Sequence, residues 1–118
     1  MTQDIQRFEP GPRMSNAVAH GGLVFTAGQV AERARGASVT EQTRDVLAFI
    51  DEALADAGTD KTRLLSAQIW LTDISTFGEM NAVWDAWVAP GCAPARATVE
   101  AKLANPDFKV EIMVVAAR

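Results

Sequence analysis

Apolar residues recur along this chain with two different periods, and the places where the period changes mark its elements. From Thr40 to Ala57 the period is helical. Thr43, Val46, Leu47, Ile50, Leu54 and Ala57 fall on one stripe, while Glu41, Arg44, Asp45, Glu52 and Asp56 lie elsewhere. Thr40 is placed to cap the start, and Gly58 to end the helix in the left-handed conformation. A second helix is predicted from Phe77 to Val88, with Phe77, Met80, Trp84, Trp87 and Val88 on one face and Ala89-Pro90-Gly91 as its stop. Elsewhere the runs are short and strand-like. Ala17-Val18-Ala19 and Leu23-Val24-Phe25-Thr26 flank His20-Gly21-Gly22 as a hairpin, which Gly28-Gln29 closes. Leu64 to Leu71, Ala95 to Ala101 and Val110 to Ala116 supply further strands, the last two separated by Asn105-Pro106-Asp107.

The expected order is β-β-β-α-β-α-β-β, an α+β fold in which two helices cover one face of a mixed sheet. No repeat or linker interrupts the chain, so residues 1–118 form a single domain. Val110, Ile112 and Val114 alternate with Glu111, Met113 and Val115, which leaves few polar positions on either side of that strand. Strands buried on both faces read this way. The helices cover one side, and self-association is expected to cover the other.

Composition narrows the chemistry. A net charge of -4 disfavours a protein that tracks nucleic-acid phosphates. Cys92 is the single cysteine and His20 the single histidine, which removes disulfides, zinc clusters and paired catalytic histidines. No apolar run approaches membrane-spanning length, and Met1 to Arg7 lacks the basic and apolar regions of a signal peptide; a cytoplasmic protein is expected.

Two charged residues sit in strands that otherwise carry small or apolar side chains. Strand alternation puts Arg96 with Thr98 and Glu100 on one face, and Ala97, Val99 and Ala101 on the other. Glu111 interrupts the most apolar strand, where a carboxylate must find a partner or shift its pKa. The planar fork of an arginine suits a small carboxylate. The competing reading pairs Arg96 with Glu111 or sends both to solvent at a subunit edge. Asn81 lies on the apolar stripe of the second helix and needs partners if buried. Cys92 reads as a loop residue, His20 as a turn residue, and the three tryptophans as packing groups.

Four segments in register, Phe25-Thr26-Ala27-Gly28-Gln29, Met80-Asn81-Ala82-Val83-Trp84, Pro94-Ala95-Arg96-Ala97-Thr98-Val99 and Val110-Glu111-Ile112, resemble the RidA (YjgF) family from about Gly11 to Arg118. The resemblance implies a chorismate-mutase-like fold, a homotrimer with sites in clefts between subunits, and cofactor-independent, metal-free deamination of reactive 2-imino and enamine acids. It places Arg96 at the carboxylate-binding arginine, Glu111 at the water-positioning glutamate, and Gly28 with Ala27 where backbone meets substrate. Asn81 takes the helix asparagine near the cleft, and Thr98 the position where many members have cysteine. Ala27 replaces a serine of archetypal members, and the tyrosine that follows their N-terminal Gly-Pro has no counterpart in a chain without tyrosine. The expected partner is a small carboxylate-bearing substrate, with neither nucleic acid nor membrane. The alternatives are a regulatory trimer that binds a carboxylate without turnover and, less favoured, a ribonuclease or translation inhibitor.

Overall fold

The apolar strand near the end of the chain, Val110–Ala117 (β7), lies in the middle of one mixed sheet. The structure, a computed structural model, describes residues 4–118, so the first three residues of the segment read against a signal peptide lie outside it. Four short strands come first: β1 (Gln6–Phe8), β2 (Ala17–His20), β3 (Leu23–Thr26) and β4 (Gln29–Val30). They are followed by α1 (Val39–Asp56), β5 (Leu64–Leu71), α2 (Phe77–Trp87), β6 (Ala95–Glu100) and β7. The strands run β1-β2-β3-β7-β5-β6 across the sheet, with β4 also paired to β7. Only β5 and β6 are parallel, and α2 is the connection between them.

The α+β architecture is as expected, with one strand more before α1 than the three anticipated. Gln29 does not close the hairpin. It opens β4 and pairs with Ile112 of β7. The start of α1 is also different. Ser38 is the cap, its hydroxyl accepting from the Glu41 N–H, and Val39 is the first helical residue. Thr40 stands two residues too late to cap; its N–H and hydroxyl both donate to the Glu79 carboxylate at 2.9 Å, tying the start of α1 to the start of α2. Gly58 does end α1 with φ of +82°, a conformation that costs glycine little.

Alternation along β7 builds the core. Val110, Ile112, Val114 and Ala116 are buried with Ile69 and Leu71 of β5 under Val46, Leu47, Ile50 and Leu54 of α1 and Met80 and Trp84 of α2. Each large side chain in that layer contributes roughly 1.5–3 kcal/mol by leaving water. Among the described residues, no helix lies over the opposite face of the sheet. Leu23, Phe25, Val99 and Met113 are exposed there, around a groove of about 430 Å³ floored by Ser66, Ala95 and Ala97.

One buried polar residue sets where β7 begins. Gln42 of α1 is fully buried; its amide donates to Asp107 O at 2.8 Å and Ala37 O at 3.2 Å, and its carbonyl accepts from Lys109 N at 2.8 Å. The loop ahead of Glu111 is thereby held against α1. Gln42→Leu keeps the volume and strands those backbone groups, each costing about 1–3 kcal/mol when buried unpaired. Urea unfolding should register a loss of about 2–4 kcal/mol, far above the few tenths typical of surface changes.

Candidate active site

The edge strand β6 and helix α2 create one set of polar groups. Register places Arg96 beside Ala67 and Thr98 beside Ile69, both buried residues, so Arg96 and Thr98 point toward the helix layer while Ala95, Ala97 and Val99 face the other way. The Arg96 guanidinium lies over the Trp84 ring, 5.1 Å from its centroid, and 5.8 Å from that of Phe77. Among the described residues it has no carboxylate within ion-pair distance. Two neighbouring groups share that shortage. Asn81 Oδ1 and Thr98 Oγ1 are both buried without a hydrogen-bond partner. Native structures leave few such atoms, and they concentrate where a ligand or another chain completes the site.

A second set forms on the open face of the sheet. Glu111 pairs in register with Trp70 of β5 and Val30 of β4, and projects over Gly28. A Cβ built on Gly28 would collide with the Glu111 carboxylate. Gly28 lacks the positive φ seen at Gly21, Gly36, Gly58 and Gly91, so closeness rather than backbone conformation requires a glycine. Burial pushes the Glu111 carboxyl above its ordinary value, with no charged neighbour acting against it. Ala27 is held beside this pair: its N–H donates to Asn16 O, and its carbonyl accepts from the Gln29 amide at 3.1 Å.

The six candidate residues therefore carry side chains or backbone into two separate places. Arg96, Thr98 and Asn81 gather on the helix side of the β6 edge; Gly28, Ala27 and Glu111 gather on the open side. The direct Arg96–Glu111 ion pair is ruled out within one protomer, because the two residues belong to opposite faces of the sheet. Cys92 lies in the loop after Gly91 and His20 is exposed at the end of β2, as expected. The tryptophans differ. The sequence reads Trp84 as a packing group and Phe77 as part of the apolar face of α2, yet both rings lie against the guanidinium. The available signal was their spacing around Asn81 on α2, four residues before and three after, which puts all three on one helical face.

Gly28→Ala should fold, since the colliding atoms belong to a side chain that can swing away. It should displace the Glu111 carboxylate toward solvent and lower its pKa toward the ordinary glutamate value. Carboxyl titration by NMR in wild type and variant checks this; identical titration curves would remove Gly28 from the description of the Glu111 pocket.

Comparisons with known proteins identify the family. The sequence profile described as Endoribonuclease L-PSP matches residues 4–118. A RutC family protein of Haemophilus influenzae is 46% identical over 112 residues, covering 95% of this chain and 97% of the relative. The RutC family protein YoaB of Escherichia coli K12 is 44% identical over 113 residues, covering 96% and 97%. A crystal structure of a YjgF-family member from Neisseria meningitidis superposes with a TM-score of 0.94 at 50% identity, covering 98% of this chain and 95% of that one. A Mycobacterium tuberculosis member of the YjgF/YER057c/UK114 family gives 0.86 at 30% identity, covering 98% and 100%. The profile match over nearly the whole chain, the close relatives and the shared fold all converge: this chain belongs to the RidA (YjgF/RutC) family.

Proposed function

We propose that this chain is a cofactor-independent deaminase of 2-imino and enamine acids, acting in clefts between the subunits of a homotrimer. The observation that carries the proposal is the division of the polar residues between two faces of one sheet. Each half is incomplete alone: an unpaired arginine with two unsatisfied acceptors on one side, a partly buried carboxylate above a glycine on the other. The uncovered apolar face, with Phe25 43% and Val99 46% exposed, supplies the driving force for copies to pack and bring the halves together.

In such a cleft Arg96 holds the substrate carboxylate through two parallel N–H bonds. Backbone at Ala27 and Gly28 limits the space around the imine carbon, and Glu111 orients a water toward C2. Water adds to the C=N bond as its proton passes to Glu111. That proton then goes to nitrogen to give a carbinolamine; its hydroxyl proton follows to nitrogen by way of Glu111 as the C=O bond forms and the C–N bond breaks, and ammonia and a 2-oxo acid leave. An enamine first takes a proton on carbon to become the imine. The reaction is already downhill in water, so positioning and one proton acceptor suffice. The raised pKa of Glu111 makes it a better acceptor than an exposed glutamate. A net charge of -4 weighs against ribonuclease action.

The test is ammonia release from a 2-imino acid generated in situ by an amino-acid oxidase. Arg96→Ala should abolish the acceleration and weaken 2-oxobutyrate binding by about tenfold or more, as expected for loss of a charge-assisted bond worth roughly 1.5–3 kcal/mol. Arg96→Lys should restore little, since an ammonium cannot reproduce the planar fork. Glu111→Gln should keep 2-oxobutyrate binding and slow turnover by on the order of 10²-fold or more. The base works deprotonated, so kcat/KM should fall as pH drops through the raised Glu111 pKa, and Glu111→Gln should flatten that limb. A trimer that binds 2-oxobutyrate and releases no extra ammonia would instead be a carboxylate-binding regulator.

A further inference from the structure

We infer that Trp84, assisted by Phe77, is a positioning residue that aims the Arg96 fork; the inference rests on the carboxylate-holding role proposed for Arg96. Three arginines of the described chain lie over aromatic rings, and two of them are fixed by carboxylates as well. Arg33 lies 3.9 Å from the Phe49 centroid and also bonds to Glu52 and Asp45. Arg35 lies 4.8 Å from the Phe108 centroid and bonds to Glu32 at 2.7 Å. Arg96 has rings alone: 5.1 Å to Trp84 and 5.8 Å to Phe77. A free arginine side chain samples many rotamers, and ordering it on binding would weaken every carboxylate contact. An acidic partner would fix the fork by occupying its donors. An aromatic face fixes it and leaves those donors free.

The platform is itself anchored. Trp84 is 5% exposed, and its ring lies 5.3 Å from that of Trp87 at an interplanar angle of 51°. Trp87 in turn donates its indole N–H to Asp51 Oδ2 at 3.0 Å, which ties it to α1, and the Lys61 ammonium sits 5.1 Å from its ring centroid. The row Lys61, Trp87, Trp84, Arg96 thus runs from the helix layer to the edge strand. Asn81 lies on the same helix, three residues before Trp84, with its Oδ1 unpaired. The ring thus holds the guanidinium against α2, the helix that carries Asn81.

The experiment compares Trp84→Leu, Trp84→Phe and Phe77→Leu in the full-length assembled protein. NMR of arginine side chains reads the ring-current displacement of the Arg96 Hδ and Hε protons, and calorimetry reads 2-oxobutyrate binding. Trp84→Leu should abolish most of the displacement and weaken binding by about threefold to thirtyfold, the range of a cation–π contact. Its effect on imine hydrolysis should appear as a raised KM with kcat less affected. Trp84→Phe should retain most of both, because any aromatic face serves. Phe77 is 41% exposed, so Phe77→Leu should fold without difficulty and weaken binding by about twofold to fivefold. If Trp84→Leu does not fold, the Phe77→Leu and Trp84→Phe results decide. A folded Trp84→Leu trimer with wild-type Arg96 shifts and wild-type 2-oxobutyrate affinity overturns the inference. Wild-type protein that binds no 2-oxo acid would defeat the carboxylate role instead, and the Arg96 proton shifts would still decide whether Trp84 orders the guanidinium.

Discussion

Alternate residues of a strand face opposite ways, and most of what this protein offers chemically comes from that rule applied to β6 and β7. With Ile112 and Val114 locked into the helix layer, Glu111 has to emerge on the uncovered face. With Arg96 in register with buried Ala67, its guanidinium has to lie on the helix side. A slip of one residue in either strand would exchange core for surface along its whole length, so the separation of the two groups is as firmly set as the core itself.

Energetics give the separation a purpose. Among the described residues, a single chain leaves Asn81 Oδ1 and Thr98 Oγ1 unpaired, Arg96 without a counter-ion, and a row of apolar side chains in water. Each is unfavourable alone. In the proposed trimer, packing copies against one another would cover the apolar face, and a carboxylate ligand would supply the anion that Arg96 lacks. The same features that make one chain incomplete are those an interfacial site requires. The solved family members share the fold over nearly their full lengths.

Much of this was legible before any coordinates. Period-3.6 stripes located both helices within a residue or two, and period-2 alternation assigned Arg96 and Thr98 to one face of β6. Four things were not legible, each for a physical reason. Ser38 and Thr40 are equally good capping residues, and only the path of the chain decides which hydroxyl meets the free N–H groups. β1 and β4 are too short, three and two residues, for any periodicity to show. The platform beneath Arg96 joins residues from α2 and β6, and a contact between elements leaves no periodic trace in either. Likewise, alternation assigns a face within each strand, but which faces coincide depends on a pairing order that sequence does not display. Arg96 and Glu111 could therefore be read as an ion pair until register separated them.

The central claim is that one site draws Arg96 from one subunit and Glu111 from its neighbour, and subunit mixing tests it most directly. Arg96→Ala and Glu111→Gln proteins, each nearly inactive alone, are unfolded together in equal amounts and refolded. In a cyclic trimer every mixed assembly contains one interface at which an intact Arg96 meets an intact Glu111, so random mixing should recover about a quarter of wild-type ammonia release. Recovery near that level is the expected result. Mixed trimers, verified by mass, that remain as inactive as either parent would contradict the account, because a site contained within one subunit cannot be repaired by a neighbour.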